Sequence, residues 1–206
     1  MNESGQTVFV VDDEKSVRDS IRWLLESIRL TVRTFESAEQ FLEEFSADRG
    51  GCLVLDVRMP GMSGPELMDC LSARGSPLPI IFLSAHGDVP LAVRAMKGGA
   101  VDFLQKPYNN QVFLERVRQA LDQDAQQRRQ RLRHDGVAER LGALTERERQ
   151  VLDGVVAGQS NKVIARELDI SYKTVEAHRS RLMQKMDAHS VAELLQMVLT
   201  CRSRAA

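Results

Sequence analysis

Apolar and polar positions divide the 206-residue chain by their spacing. Between residues 7 and 105, short apolar runs alternate with stretches in which apolar residues recur every three or four positions. Thr7-Val8-Phe9-Val10-Val11, Cys52-Leu53-Val54-Leu55 and Pro79-Ile80-Ile81-Phe82-Leu83 carry no polar alternation. Strands buried on both faces of a parallel sheet read this way. Thr31 to Phe35 alternates as a shorter strand, and Val101-Asp102-Phe103-Leu104 makes a fifth. Helical spacing fills the gaps: Val17, Ile21, Leu24, Leu25 and Ile28; Ala38, Phe41, Leu42 and Phe45; then Leu67, Met68 and Leu71 after a loop with Gly61 and Gly64. Val89 to Met96 makes a fourth helix, broken by Gly98-Gly99, and Phe113, Val117, Leu121 and Ala125 mark a fifth. Five strands alternating with five helices predict an α/β domain over residues 1–124, a doubly wound parallel sheet covered on both faces.

Beyond residue 140 the strand pattern disappears. Thr145 with Glu148 three residues on forms a capping box ahead of Val151, Leu152, Val155 and Val156, and Gly158 supplies a stop. Ser160 can cap a short helix with Val163, Ile164, Ala165 and Leu168 inward. Asp169-Ile170-Ser171 is a tight connection to a third helix from Tyr172 to about Met186, and Ser190 to Leu199 gives a fourth. Two short helices joined by a three-residue turn in an all-α four-helix unit, residues 142–206, predict a helix-turn-helix. At 100° per residue, Val175, Leu182 and Met186 fall within about 40° of one another and face the core. Lys173, Glu176, Ala177, Ser180, Arg181 and Gln184 then lie opposite. Such a face suits a reader of the DNA major groove, and an ordinary amphipathic helix makes the same pattern. The segment between, 125–141, is rich in helix formers without proline and predicts a solvated helical linker.

Charge separates these parts further. The net charge of −1 conceals 13 basic against 19 acidic residues over 1–124, 5 against 2 over 125–141, and 10 against 8 over 142–206. An acidic front and a mildly basic back predict different partners, although the excess is too small to establish nucleic-acid binding. Cys52, Cys70 and Cys201 lack paired spacing, which argues against a disulfide framework or a zinc site. With no charged-then-apolar leader and no membrane-length apolar run, the chain reads as cytoplasmic.

The ends of the strands carry the chemistry. Asp12 and Asp13 follow the first strand, Asp56 the third, Ser84 the fourth and Lys106 the fifth. Any one has an ordinary explanation, since aspartates cap strands and lysines are usually solvated. A parallel sheet brings all five to one edge, where open α/β sheets bind ligands. Carboxylates so placed repel unless a cation offsets them, and a small divalent ion with carboxylate and water ligands, Mg²⁺ above all, does so. A lysine ammonium and a serine hydroxyl suit phosphoryl oxygens. The pattern points to a phosphoryl group carried on an aspartate.

Val10-Val11-Asp12-Asp13-Glu14, Leu55-Asp56-Val57-Arg58-Met59-Pro60-Gly61, Leu83-Ser84-Ala85-His86-Gly87 and Gln105-Lys106-Pro107 together resemble the receiver domain of two-component response regulators. The FixJ group is the most similar, through His86-Gly87-Asp88-Val89-Pro90 and Gly99 to Pro107; the resemblance spans residues 5–124. It implies a flavodoxin-like fold in which Asp56 accepts a phosphoryl group from a sensor histidine kinase. It also implies Mg²⁺ held by Asp13, Asp56 and the backbone carbonyl of Arg58, with Asp12 acting through water. Ser84 and Phe103 fill the switch positions, His86 shapes the switch surface, and Lys106–Pro107 is expected to be a cis bond, which only X–Pro peptides adopt cheaply.

Leu144 to Arg149, Gly158 to Leu168 and Lys173-Thr174-Val175-Glu176-Ala177-His178-Arg179 are similar to the LuxR/NarL-type DNA-binding domain over about residues 140–201. The resemblance makes Tyr172–Lys185 the recognition helix, with Glu176, Ala177 and Ser180 toward the bases. Lys162, Lys173, Thr174, Arg179 and Arg181 fall nearer the DNA backbone. Glu176 stands where some relatives have lysine; a carboxylate accepts from cytosine N4 but repels phosphates, so the target should differ. The last helix is expected to pair two subunits through Val191, Leu194, Leu195 and Val198. A homodimer formed on phosphorylation, promoter DNA and RNA polymerase are the partners implied, with no membrane. An aspartyl-phosphate hydrolase would use the same carboxylate, but no cap insertion interrupts the short domain.

Overall fold

The computed structural model describes residues 6–46, 49–76, 78–85 and 89–202. The chain divides into two compact units, Met1–Arg128 and Arg129–Ala206.

Unit 1 is built on strands β1 (Thr7–Val11), β2 (Thr31–Phe35), β3 (Gly51–Asp56), β4 (Ile80–Ser84) and β5 (Asp102–Gln105). All pair in parallel in the order β2-β1-β3-β4-β5, the flavodoxin-like arrangement. Helices α1 (Lys15–Ser27), α2 (Ala38–Glu44), α3 (Gly64–Ala73), α4 (Val89–Lys97) and α5 (Asn110–Gly142) connect and cover it.

The strands look uniformly apolar because each face has its own core. Phe9, Val11, Leu53, Leu55 and Phe82 face Phe41, Leu67, Leu71 and Ala95 of α2, α3 and α4. Val8, Val10, Cys52, Val54, Ile81 and Leu83 face Ile21 and Leu25 of α1 and Phe113, Val117 and Leu121 of α5. Alternate residues of one run thus serve two hydrophobic layers, which removes any polar alternation from the central strands.

α5 continues without a break to Gly142, and Val137 and Leu141 at its end pack on the core of unit 2. Unit 2 adds α6 (Glu146–Val156), α7 (Asn161–Glu167), α8 (Tyr172–Met186) and α9 (Val191–Arg202). Thr145 and Glu148 form the capping box at α6, and Ser171 caps α8 through the amide of Thr174. Ser160 occupies the cap position of α7, yet its side chain makes no cap hydrogen bond. Its backbone carbonyl instead accepts from the amides of Val163 and Ile164. The dimer stripe expected on α9 is also revised: Leu194 and Val198 are fully buried in the core of their own unit. A four-helix unit this small needs its last helix to close the core, which leaves Val191 and Leu199 outward.

An ion pair joins α6 to α8 beside their shared core. Lys185 Nζ donates to Glu148 Oε2 at 2.8 Å and to the carbonyl of Ala143 at 3.1 Å. The Lys185 hydrogen bond, helped by the Thr145 amide, holds the Glu148 carboxyl down at about 2. A lowered native pKa stabilises the fold above the unfolded-state value near 4.3, and that stability is lost as pH falls toward 2. Amide exchange in α6 and α8, corrected for intrinsic rates, should show protection falling by about 1–2 kcal/mol from pH 6 to pH 2.5, allowing for solvent around Lys185. Glu148→Gln should remove this pH dependence; an undiminished one would assign it to another group.

Candidate functional site

In-register pairing decides what the upper edge of the sheet carries. Val11 lies beside Leu55, Asp56 beside Leu83, and Ser84 beside Gln105. Asp12, Asp56, Ser84 and Lys106 therefore emerge from neighbouring strands at the same level. β1 and β3 flank the point where the strand order reverses, the place where a crevice opens in such sheets.

Lys106 is the centre of this group. Its Nζ donates to Asp56 Oδ1 at 2.6 Å and to Asp12 Oδ2 at 2.7 Å. Its backbone amide donates to the carbonyl of Ser84 at 2.7 Å, which ties the end of β5 to β4. The Lys106–Pro107 bond is cis. Asp56 Oδ2 accepts from the amide of Arg58 at 2.8 Å, and Asp12 Oδ1 from the amide of Glu14 at 2.9 Å. Asp12, Asp56 and Ser84 are all buried.

Burial and pairing pull in opposite directions here. Desolvation raises the Asp12 pKa above its ordinary value, more than the Lys106 and Glu14 hydrogen bonds lower it. For Lys106, burial works against the ammonium, but hydrogen bonds and charges from Asp12 and Asp56 together outweigh it and hold the pKa up. The lysine is therefore a fixed cation wedged between two carboxylates.

Asp13 stands outside this pair: it is exposed. Among the described residues, no group of three or more His, Cys, Asp and Glu is arranged to hold a metal. One ammonium offsets two buried carboxylates, whereas a third without its own cation is better solvated. The pair nonetheless fits Mg²⁺ chemically, since that ion binds through one or two carboxylates and keeps waters. Phe103 is half-buried on β5, its ring centroid 6.5 Å from that of Phe82. His86 lies outside the described residues.

Gly64 opens α3 against the carboxyl end of β3. A Cβ there would collide with the carbonyl oxygen of Asp56, so only glycine lets the helix approach so closely. Two further side chains, absent from the sequence-based set, hold the loops. Glu39 Oε1 of α2 accepts from the amide of Met62 at 2.9 Å, tying down the loop after β3. Arg18 of α1 donates to the carbonyl oxygens of Asp12 and Asp13. The only sequence sign of Arg18 is a cation in the first turn of a helix, where the dipole disfavours it; Glu39 had none.

In unit 2, Val175, Leu182 and Met186 of α8 are fully buried, as helical geometry demands. Lys173, Glu176, Ala177, Ser180, Arg181 and Gln184 are all exposed, as is Lys162 on α7. Arg179 is partly buried, with Nη1 donating to Asn161 Oδ1 at 2.6 Å. Thr174 Oγ1 lies 2.8 Å from Ser171 Oγ.

Residues 8–118 match the response regulator receiver domain model, and residues 142–198 match the model of bacterial regulatory proteins of the luxR family. The transcriptional regulatory protein TdiR of Thauera aromatica is 51% identical over 196 residues, 95% of this chain and 86% of that protein. The transcriptional regulatory protein FixJ of Bradyrhizobium diazoefficiens is 43% identical over 192 residues, 93% of this chain and 94% of that one. Among solved structures, the response regulator StyR superposes with a TM-score of 0.88 at 47% identity, covering 95% of this chain and 98% of that one. Full-length FixJ from B. japonicum gives a TM-score of 0.58 at 41% identity, covering 97% and 98%.

Proposed function

The chain belongs to the two-component response regulators that join a receiver domain to a luxR-family DNA-binding domain, and on that premise we propose how its halves work together. It is a transcriptional regulator and not an enzyme. Residues 1–124 form the phosphoacceptor domain, 125–141 the linker and 142–206 the DNA-binding domain. Asp56 takes a phosphoryl group from a sensor histidine kinase. A carboxylate oxygen forms the O–P bond as the donor's P–N bond breaks, and the electron pair leaves on the imidazole nitrogen, which takes a proton.

The observation that carries this reading is the Lys106 ammonium bridging Asp56 and Asp12 at 2.6 and 2.7 Å on the open edge of the sheet. That ammonium offsets the charge brought by a phosphoryl group without reorganisation. Asp13, Asp56 and the Arg58 carbonyl would hold Mg²⁺, with Asp12 acting through water. When bound, the ion adds positive charge beside the phosphoryl oxygens. Ser84 is drawn to the new oxygens and Phe103 turns inward. The face of α4, where Val89, Val93 and Met96 are exposed, then changes and joins two copies. The dimer carries two α8 helices to adjacent half-sites on promoter DNA. Glu176, Ala177 and Ser180 face the bases, Lys162, Lys173, Thr174, Arg179 and Arg181 the backbone, and RNA polymerase meets the bound pair. Among the described residues no helix is long and apolar enough to cross a membrane, and the cytoplasm is the compartment where kinase and promoter meet.

Salt titration separates one bound subunit from two. Lys162, Lys173, Arg179 and Arg181 offer four phosphate partners per subunit, so log affinity against log salt should fall with a slope of about −7 for a dimer and about half that for a monomer. With acetyl phosphate as donor, the slope should move from the shallow to the steep value. A slope that the donor leaves unchanged would refute phosphorylation-driven dimerisation.

A further inference from the structure

α1 starts with cations where a helix tolerates them least. Lys15 and Arg18 occupy its first turn, which holds no acidic residue, and Glu14 at the cap position makes no side-chain cap bond. The unpaired amides and dipole of that end favour anions. A cation kept there needs a compensating partner, and Arg18 has two. Its Nη1 donates to the carbonyl oxygen of Asp12 at 2.6 Å and to that of Asp13 at 2.9 Å. Helical side chains lean toward the N-terminus, so the fourth residue of α1 naturally reaches back over the loop that precedes it.

We infer that Arg18 is a positioning residue for the acidic pocket, holding the Asp12-Asp13 backbone from behind while their carboxylates serve the phosphoryl site. With Arg18 on its carbonyl, Glu14 on Oδ1 and Lys106 on Oδ2, every oxygen of Asp12 is engaged. Asp13 is different, because its carboxylate is exposed and this guanidinium supplies the hydrogen bond on its carbonyl. Loss of Arg18 therefore leaves Asp12 the two bonds on its carboxylate and the one from its amide to the carbonyl of Phe35, and leaves Asp13 without the Arg18 bond. Both Arg18 bonds run to main-chain carbonyl oxygens. Arg18 acts through the backbone of the two aspartates, and the inference rests on the reading of Asp56 as a Mg²⁺-assisted phosphoacceptor.

The test uses the full chain and two variants. Arg18→Gln removes the charge and the two-pronged reach, whereas Arg18→Lys keeps a cation with several donors. Mg²⁺ affinity is measured by titration calorimetry, and phosphorylation by acetyl phosphate is followed across Mg²⁺ concentrations. Removing an outer support of a metal site costs 10–100-fold in affinity, so Arg18→Gln should weaken Mg²⁺ about tenfold and raise half-saturating Mg²⁺ by the same factor. The rate at saturating Mg²⁺ should stay within about twofold of wild type, and Arg18→Lys should recover most of the loss. Mg²⁺ affinity within about twofold of wild type in Arg18→Gln would overturn the inference. So would an equal loss in both variants together with a lowered melting temperature, which marks simple packing. If the wild type neither binds Mg²⁺ nor takes a phosphoryl group, the functional reading itself falls, a result visible without either variant.

Discussion

Replacing Asp56 with asparagine will abolish uptake of a phosphoryl group and remove the rise in DNA affinity that the donor produces. Asparagine has the same shape but no anionic oxygen, so it cannot attack phosphorus. Its amide also fits the pocket poorly. Asp56 Oδ1 accepts from Lys106 and Oδ2 from the Arg58 amide. An NH₂ in either place sets donor against donor, at a cost of about 1–3 kcal/mol. Unit 1 should still fold, because Asp12 keeps Lys106 and one buried negative charge has been removed. Intact mass after incubation with acetyl phosphate and Mg²⁺ should show one added phosphoryl group on the wild type and none on the variant. Allosteric couplings of 1–3 kcal/mol correspond to about 5–150-fold, so donor-treated wild type should gain that much promoter affinity and the variant nothing. A variant that still takes up one phosphoryl group, or binds DNA as the activated wild type does, would remove Asp56 from the role assigned to it.

The strand ends that support this prediction are legible in the sequence because two independent signals coincide. Unbroken apolar runs mark strands buried on both faces, and each run gives way abruptly to polar residues. Parallel topology converts those residues into neighbours, as the Asp56–Lys106–Asp12 bridge shows. The inward set of α8 is equally legible, since Val175, Leu182 and Met186 depend only on the helical period. The Thr145–Glu148 capping box depends only on local spacing.

What escapes the sequence depends on tertiary meetings between polar groups and backbone. The Arg18 clamp and the Glu39 tether are bonds to main-chain atoms, which every residue possesses, so nothing in the sequence points to their partners. Asp124 makes the point most sharply. It stands among polar neighbours, Asp122, Gln123 and Gln126, yet it is buried. There Oδ2 accepts from the Gly51 amide at 2.8 Å and from Gln6 Nε2 at 3.2 Å. The burial of Leu194 and Val198 failed to announce itself for a related reason. An apolar stripe on a terminal helix looks the same whether it closes its own core or meets a second chain.

Gly51→Ala should unfold unit 1 more severely than any substitution in the Asp12–Asp56–Lys106 cluster. Gly51 opens β3 with φ 149°, a value L residues rarely adopt. It pairs with Thr7 across the β1–β3 ladder, and a Cβ would land inside the carbonyl oxygen of Thr7. Backbone cannot swing aside as a flexible side chain can, so the two central strands must part at their first rung. That movement also draws the Gly51 amide off Asp124 and leaves a buried carboxylate short of a donor. Backbone collision and an unsatisfied buried group together belong to the class of substitutions costing about 4 kcal/mol or more, a large share of a domain's 5–15 kcal/mol. The melting transition of unit 1 should drop by about 10–20 °C. β1 and β3 are also the strands that deliver Asp12 and Asp56, so phosphoryl uptake should fall with the fold. Gly75→Ala is the matched control. Gly75 also has positive φ, 66°, but an added Cβ meets nothing within 4 Å, so strain alone should cost about 1–3 kcal/mol. Hydrogen exchange in α6 to α8 should be unchanged in both variants, because their core is that of unit 2. Equal destabilisation by Gly51→Ala and Gly75→Ala would mean that β1 and β3 can yield at this rung, and that the close approach of Gly51 to Thr7 is not what the sheet depends on.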